Sequence, residues 1–325
     1  MSTITLYHDL SWYGRQQTGH INLQHLLHRL AYQIYSIWLF TFSDIKTIIA
    51  PSLMFALFTA PAMAVFGASS ASRTSDLLRQ VPLVVLWLWI NLLPFTIDNQ
   101  RQPESIVEDR LNKPWRTMPS KRMTPAQARS LMFCLYPLAL LTSLKFGGIE
   151  QCLSLMALGL WYNDLRGADR SCIVRNLINA AGFNRFTTGA LEVLLEEKQH
   201  YGTTRGLIIW QAIVAGIVFT TVQTQDMYDQ LGDAQRCRRT VPLVIGDDWS
   251  RWSIAVPMVF WSIFCPVYIG SPLVGFAISA GLGGLVAVRS LLKRSVPTDK
   301  MTFRLWNLWL VSIYTLPLLK VMWIE

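Results

Sequence analysis

Residues 206–225 read GLIIWQAIVAGIVFTTVQTQ and carry no charged side chain. A helix of this length can cross the hydrocarbon core of a bilayer, which is about 30 Å thick. Similar apolar segments lie on both sides of it, so the sequence predicts an all-α, polytopic membrane protein with nine transmembrane helices. Their predicted ranges are 44–67, 76–98, 124–147, 150–165, 173–195, 205–226, 251–270, 272–290 and 303–323.

The composition argues against a water-soluble enzyme. Of the 325 residues, 52% are hydrophobic and only 15% are charged, whereas soluble proteins average about 25% charged residues. The net charge is +9, but Lys and Arg are spread between the apolar segments, so we predict no nucleic-acid partner. The five cysteines are widely spaced and form no C-x-x-C pattern, which argues against a disulfide framework or a zinc site.

The basic residues predict how the protein is oriented in its membrane. The loops after the second, fourth, sixth and eighth predicted helices contain 18 Lys and Arg residues, whereas the opposite loops contain four. By the positive-inside rule the basic side faces the cytosol. Both the N-terminus and the two longest polar loops are therefore expected on the cytosolic side, in the endoplasmic reticulum if the source is eukaryotic.

The chain divides into two predicted parts. Residues 1–43 form a cytosolic segment, in which residues 22–42 alternate apolar and polar side chains at near-helical spacing. Such a helix is expected to lie along the membrane surface. Residues 44–325 form the transmembrane domain, and Asp44 is predicted to mark the start of its first helix rather than to bind a ligand.

Two acidic segments follow the second and sixth predicted helices. Residues 98–116 read DNQRQPESIVEDRLNKPWR, and residues 226–233 read DMYDQLGD. If the sixth helix continues, Asp226, Asp229 and Asp233 lie on one helix face. Because the segments are four helices apart, the sequence predicts two four-helix halves that each bring one cluster to a shared cavity.

The acidic segments predict a metal-bound diphosphate. Closely spaced carboxylates repel one another unless a cation lies between them, and Mg²⁺ typically bridges a few carboxylates and substrate phosphates. Basic residues follow both segments directly, as an anionic ligand requires. The alternative is that these are solvated loops with ordinary helix-end charges. The candidate phosphate-binding residues are Arg110, Lys113, Arg116, Arg238 and Arg239.

A third polar stretch ends the fourth predicted helix, where residues 161–164 read WYND. Polar side chains this close to a transmembrane segment commonly line a water-accessible cavity, although helix capping is the alternative for the last two. We therefore expect the cavity to be lined by Trp161, Tyr162, Asn163, Asp164 and Tyr228.

Two short sequences resemble the motifs of the UbiA superfamily of intramembrane prenyltransferases. The first family motif ends in Asn-x-Pro-x-Arg-Pro-x-Pro-Ser-Gly, and residues 112–121 read NKPWRTMPSK. The second is D-x-x-x-D followed by Gly-Arg-x-Thr-x-Pro, and residues 229–242 contain Asp229, Asp233 and then CRRTVP. Thr117, Lys121 and Cys237 stand where the family has Pro, Gly and Gly.

The first motif also departs from the typical family pattern. Asp109 keeps its register, Ser105 replaces the other aspartate, and Glu108 lies beside it. This pattern is similar to the divergent branch that contains the fungal UbiA-type membrane terpene cyclases. The resemblance implies Glu108, Asp109, Asp229 and Asp233 as catalytic residues. It implies Mg²⁺ ligands among Asn99, Glu108, Asp109, Asp226, Asp229 and Asp233.

The resemblance implies a membrane enzyme that ionises a polyprenyl diphosphate, with farnesyl diphosphate as the expected substrate. Cyclisation of the resulting cation is the leading hypothesis, and transfer of the prenyl group to an aromatic or other acceptor is the alternative. A transporter is disfavoured because the acids lie at helix ends, whereas carrier sites lie near the bilayer midplane. Aromatic residues expected to shield the cation are Trp87, Trp89, Trp161, Tyr162, Phe183, Trp210 and Tyr228.

Overall fold

The structure is a computed structural model that describes residues 23–68, 74–195 and 204–324. All regular elements in these ranges are helical, which confirms the all-α prediction. The predicted N-terminal segment lies partly outside the described residues. The α-helices are α1 (Leu23–Thr41), α2 (Ala50–Thr59), α3 (Thr74–Arg101), α4 (Pro103–Asn112), α5 (Pro125–Phe146), α6 (Ile149–Tyr162), α7 (Gly167–Arg170), α8 (Cys172–Leu194), α9 (Arg205–Thr221), α10 (Gln230–Gln235), α11 (Val241–Ile245), α12 (Asp247–Ile269), α13 (Leu273–Leu292) and α14 (Val296–Ile324).

The chain is an integral, multi-pass membrane protein. Six described helical segments are long and apolar enough to cross a bilayer: Ile45–Phe66, Leu77–Arg101, Arg205–Tyr228, Asp247–Ile269, Leu273–Leu292 and Val296–Ile324. The other three predicted spans coincide with α5, α6 and α8. With 14 residues, α6 is about 21 Å long, and α8 carries polar side chains such as Arg175 and Asn176. The count of nine crossings therefore stays a prediction.

Large aromatic side chains fill the centre of the bundle. Trp87, Trp210 and Trp306 are fully buried, and such rings contribute much of the packing in a protein core. A Cβ atom at Gly189 would lie only 2.1 Å from the Trp87 ring, so this glycine lets α8 approach α3 closely. The prediction that Trp87 and Trp210 face the cavity is wrong, because helix packing takes them into the core.

The helix that leads to the second acidic segment does not continue through it. α9 ends at Thr221, a 3₁₀ segment covers Val222–Tyr228, and α10 begins at Gln230. The Thr221 and Thr224 hydroxyls donate hydrogen bonds to backbone carbonyls, and such bonds compete with regular helix. The predicted uninterrupted helix through residues 226–233 is therefore wrong.

Helix α1 exposes an apolar surface. Leu26, Leu27, Leu30 and Ile34 are each more than half exposed. Arg122 holds the other side of the helix, since its guanidinium lies 4.1 Å from the Tyr32 ring centroid. This amphipathic character fits the predicted position along the membrane surface, which stays a prediction.

Candidate active site

A cavity of about 740 Å³ lies between α3, α6, α8, α14 and the first membrane span. Charged residues line one end of it. They come from the start of the first membrane span, the N-terminal ends of α8 and α14, and the two acidic segments with the basic residues that follow them. The C-terminal end of α3 adds the neutral Asn99. The charged residues and their polar neighbours are Asp44, Lys46, Asn99, Glu108, Asn112, Lys113, Arg116, Arg175, Gln225, Asp229, Arg238, Lys300 and Arg304.

The other end of the cavity is largely apolar and aromatic. Phe183 lies eight positions after Arg175 on α8, which is about 12 Å along the helix axis. Phe95 precedes Asn99 by one turn on α3 and packs edge-on against Tyr162, with 5.3 Å between the ring centroids. The cavity can therefore hold a ligand with an anionic head and a hydrocarbon tail. Its larger apolar and aromatic residues are Leu92, Phe95, Leu155, Leu158, Tyr162, Ile178, Phe183, Phe186, Tyr228 and Phe303.

Helix α4 places some residues of the first acidic segment on its buried face and others on its exposed face. Pro103 occupies its first turn, a position that proline favours. Glu108 and Asp109 lie on the buried face. Arg110 follows on the exposed face, outside the cavity lining. Its role as a diphosphate ligand stays a prediction, and this placement does not support it.

The two acidic segments make direct contact. Lys113 Nζ lies 2.9 Å from Asp229 Oδ2, and Asn112 Nδ2 donates a hydrogen bond to the Asp229 carbonyl at 3.2 Å. A Cβ atom at Gly232 would lie 2.2 Å from Asn112 Nδ2, so Gly232 permits this approach. The predicted meeting of both clusters at a shared cavity agrees with this geometry.

Arg116 links the first motif to the start of the first membrane span. Its Nη1 donates to both carboxylate oxygens of Asp109 at 3.0 Å, and its Nη2 donates to Ser43 Oγ at 2.9 Å. Asp44 Oδ2 lies 3.9 Å from the same guanidinium and lines the cavity. Asp44 therefore belongs to the site as well as marking a helix start.

A four-residue charge network fixes Arg238 at the cavity. Glu108 pairs with Arg236 at 3.3 Å and with Arg238 at 3.1 Å. Asp169 on α7 pairs with the same two guanidiniums at 3.2 and 3.0 Å. Burial alone would raise the pKa of Glu108, but Arg238, Lys113 and Arg236 hold it below its usual value. Glu108 is therefore ionised in this network at neutral pH.

The remaining aspartates of the second segment lie behind the cavity wall. Asp226 pairs with Arg175 at 2.8 Å, and Arg175 also donates to the Tyr162 hydroxyl. Both carboxylate oxygens of Asp233 are buried and make no hydrogen bond within the described chain. Burial and the neighbouring Asp226 raise the pKa of Asp233 to about 7, against the lowering effect of Arg175 and Arg238.

The structure brings together most of the predicted site residues. Asn99, Glu108, Lys113, Arg116, Asp229, Arg238, Tyr162 and Tyr228 line the cavity. Asp109, Asp226 and Asp233 are buried beside it. Asp109 pairs with Arg116 and Asp226 with Arg175, and Asp233 lies 3.5 Å from Arg238.

Four other predicted positions lie outside the cavity lining. Arg239 and Trp161 are exposed outside the lining, and Asp164 is an exposed residue 3.5 Å from Arg101. Asn163 is buried but does not line the cavity. The end of α6 turns away from the cavity after Tyr162, since the chain leaves the helix there.

Several site residues were missed from the sequence. Asp169 lies on α7 and Arg175 in the first turn of α8, and the sequence gave no indication of their partners. Lys46, Lys300 and Arg304 come from the two ends of the chain. Only tertiary contacts reveal these, because each partner is far away in sequence.

The donor atoms of this site fit Mg²⁺ bound together with a diphosphate. Within the described ranges no three His, Cys, Asp or Glu side chains form a ready metal site. Mg²⁺ commonly uses only one or two carboxylates plus substrate phosphates and water. Asp229 lines the cavity, and its buried Oδ1 has no hydrogen-bond partner in the described chain. It is the best placed carboxylate oxygen for such an ion.

Sequence comparisons identify relatives of this chain. The model of the UbiA prenyltransferase family matches residues 102–311. Fumagillin beta-trans-bergamotene synthase of Aspergillus fumigatus is 32% identical over 178 residues, which are 55% of this chain and 60% of that protein. The match thus spans less than two thirds of that relative. Somaliensene A/B synthase of Streptomyces somaliensis is 26% identical over 296 residues, covering 87% of this chain and 94% of that protein.

Solved structures share the fold. A digeranylgeranylglyceryl phosphate synthase structure superposes with a TM-score of 0.57 at 16% identity, covering 88% of this chain and 98% of that chain. A UbiA homolog from Archaeoglobus fulgidus, bound to GPP and Mg²⁺, has a TM-score of 0.53 at 12% identity and covers 81% of this chain and 96% of that chain. At these identities the likeness shows the fold alone.

Proposed function

We propose that this chain, a membrane-bound enzyme that belongs to the UbiA prenyltransferase family, is a Mg²⁺-dependent terpene cyclase acting on a polyprenyl diphosphate. Farnesyl diphosphate is the proposed substrate. The observation that carries the proposal is the cavity itself, which joins a cationic end to an aromatic, apolar end. A diphosphate needs the first and a prenyl chain needs the second.

Three basic residues are proposed to bind the diphosphate. Lys113, Arg116 and Arg238 line the cavity, and each is held in place by a carboxylate of the motifs. Arg–phosphate contacts are strong because the guanidinium matches two oxygens at once. When the C1–O bond of the substrate breaks, these cations stabilise the negative charge that develops on the leaving diphosphate.

Mg²⁺ is proposed to be held by oxygen atoms from both motifs. Asp229, Glu108 and Asn99 line the cavity, and Asp109, Asp226 and Asp233 lie directly behind them. When bound, the ion supplies Lewis-acid neutralisation of the phosphate oxygens. The carboxylates themselves keep Lys113, Arg116 and Arg238 oriented toward the ligand.

The aromatic wall is proposed to protect the allylic cation formed with the diphosphate. Phe95, Tyr162, Phe183, Phe186 and Phe303 line the cavity, and the faces of such rings attract cations. The same wall excludes water, which would otherwise capture the cation. An alkene of the same chain can then react with the cation, and loss of a proton completes the cyclic product.

Cyclisation is preferred to prenyl transfer on two grounds. The motif pattern at Ser105, Glu108 and Asp109 resembles the cyclase branch, and the two curated relatives carry the names of terpene synthases. Prenyl transfer to a bound acceptor is the second candidate because it uses the same ionisation. The cationic side of the cavity is proposed to face the cytosol.

The test is to incubate membranes containing the protein with Mg²⁺ and farnesyl diphosphate, without an acceptor, and to analyse the extract by gas chromatography and mass spectrometry. We expect a cyclic hydrocarbon or alcohol that disappears with Asp229→Asn and persists with the exposed control Arg239→Gln. Diphosphate release only after an aromatic acceptor is added would instead establish a prenyltransferase.

A further inference from the structure

The same short pattern, Asn-x-x-x-Phe, occurs on two helices of the cavity. Asn91 and Phe95 lie on α3, and Asn179 and Phe183 lie on α8. Residues four positions apart share a helix face, and all four residues line the cavity. Two neutral amides therefore lie in a wall that is otherwise mostly hydrocarbon and aromatic.

Packing does not require these amides. Asn91 is buried, its Nδ2 donates to the Trp87 carbonyl at 2.9 Å, and Oδ1 accepts no hydrogen bond from the described part of the chain. Asn179 Nδ2 is buried and likewise has no partner there. A buried polar group without a partner costs about 1–3 kcal/mol, a cost that Asn179 carries and that leucine, which has a similar size, would not.

The Asn91 amide is held on a rigid support. The Trp87 ring is fully buried, its Nε1 donates to Ser143 Oγ at 2.9 Å, and it packs tightly against Gly189. The Trp87 carbonyl belongs to the backbone of α3, and the hydrogen bond that it accepts from Nδ2 fixes the orientation of the Asn91 amide. Oδ1, the negative end of the amide dipole, is the atom left to meet a ligand.

Both amides lie beyond the charged end of the cavity. Asn91 is eight residues before Asn99 on α3, about 12 Å along the helix axis, and Asn179 is four residues after Arg175 on α8, about 6 Å. With the diphosphate at the charged end, the amides meet the prenyl chain at its more distant alkenes. Asn91 is thus far from the C1–O bond, and Asn179 lies one helix turn beyond Arg175, so neither is among the charged groups proposed to bind the diphosphate.

We propose that Asn91 and Asn179 are specificity-determining residues that direct which carbon carries the positive charge during cyclisation. This inference rests on the proposed cyclase function. An alkene of the chain donates its π-electron pair to the allylic cation, a C–C bond forms, and the positive charge moves to the other alkene carbon. Asn91 Oδ1 stabilises that carbon electrostatically, and the Asn179 amide supplies a second dipole in the cavity wall. The neighbouring carbon then loses a proton to the released diphosphate, and a new alkene forms.

The experiment compares Asn91→Leu and Asn179→Leu with the control Asn307→Leu. Asn307 on α14 is buried to the same degree as Asn91, and its Nδ2 makes the same kind of bond, to the Phe303 carbonyl at 2.7 Å. It does not line the cavity. For each purified variant, diphosphate release from farnesyl diphosphate and the product distribution are measured in parallel.

We expect both cavity variants to release diphosphate within about threefold of the wild-type rate, while the share of the main cyclic product falls at least about fivefold in favour of acyclic or less cyclised products. Asn307→Leu should keep the wild-type distribution. An unchanged distribution in both cavity variants, or an equal change in the control, would overturn this inference alone. Absence of any cyclic product from the wild-type protein would overturn the cyclase proposal, and this inference with it. If one cavity variant does not fold, the product distribution of the other variant tests the inference.

Discussion

Lys113 Nζ lies 2.9 Å from Asp229 Oδ2 and joins the two acidic motifs across 116 residues of sequence. Lys113 belongs to the first motif and Asp229 to the second. The pairing is reciprocal, since Arg236 and Arg238 of the second motif bind Glu108 of the first. Each motif therefore supplies the counter-charges that hold the other in place.

This reciprocity predicts that the two partners of the pair depend on each other. We expect Lys113→Met and Asp229→Asn each to lower the rate of diphosphate release by about 10²–10³-fold, as loss of one electrostatic group in an active site typically does. Because the residues act as a unit, the double variant should be little worse than either single variant. Release kinetics measure this, and full multiplication of the two effects would show that they act independently. Asp248→Asn is the control, since Asp248 is exposed and pairs with Arg294.

A buried ion pair away from the cavity should govern stability. Arg251 and Asp299 are both almost fully buried and 3.0 Å apart. Asp299→Ala leaves the buried Arg251 guanidinium with Asp247 as its remaining carboxylate partner, at 2.7 Å, so we expect a loss near the lower end of the about 3–5 kcal/mol that breaking a buried pair typically costs. The exposed pair of Asp248 and Arg294 lies nearby, and Asp248→Ala should cost less than about 1 kcal/mol. Denaturant unfolding in detergent compares the two variants, and equal losses in the free energy of unfolding would contradict the prediction.

Two non-glycine residues occupy left-handed backbone where the family pattern has glycine. Lys121 has φ 57° and Cys237 has φ 58°, and this conformation costs a residue with a side chain about 1–2 kcal/mol. We expect Lys121→Gly to raise the free energy of unfolding by about 1 kcal/mol. Lys293 is also exposed but has φ −110°, so Lys293→Gly should not stabilise. A loss of stability in Lys121→Gly would refute this account of the turn.

Asp233 should make the stability of the metal-free protein depend on pH. Its pKa is raised from 3.8 to about 7 in the folded state, so between about pH 4 and pH 7 the folded chain binds more protons at this group than the unfolded chain. Stability from this group is therefore lost as the pH rises through that window. Asp233→Asn should remove the loss and be more stable than wild type at pH 8, but not at pH 4. Thermal unfolding of both proteins at pH 4 and pH 8, with a chelator present, tests whether the variant gains stability over wild type only at the higher pH.

Cys237 offers a test of orientation. It is exposed and lies between Arg236 and Arg238, beside the cationic end of the cavity. In a variant that keeps only this cysteine, we expect a membrane-impermeant maleimide added from the cytosolic side of sealed vesicles to label it. Labelling only after permeabilisation would place the cavity opening on the opposite side.

Much of the fold was predictable because it follows from local sequence. Apolar segments long enough to cross a bilayer predict helices whatever their neighbours are, and each predicted span coincides with a described helix. The exception is the end of α9, where a 3₁₀ segment replaces regular helix over Val222–Tyr228. That break separates Asp226 from Asp229 and Asp233, which the helical spacing had placed on one face.

The site was predictable only in part. Motif spacing selected Glu108, Lys113, Asp229 and Arg238, and all four line the cavity, whereas their roles stay predictions. It could not distinguish them from Arg110, which comes one residue after the buried Asp109 on α4 and is exposed outside the cavity. Side chains one residue apart on a helix point in different directions. Which of them reaches the cavity therefore depends on which face of the helix packs against the rest of the bundle.

The sequence by itself determined the membrane class, the helical architecture, the two acidic motifs and the resemblance to a prenyl diphosphate enzyme family. These depend on segment length, composition and short spacing, all of which are local. The tertiary structure alone decided that Asp169 and Arg175 join the site, that Trp87 packs in the core, and that two amides line the apolar cavity. Each depends on how helices distant in the chain pack against one another, and that packing brings together charges whose separation in sequence carries no signal.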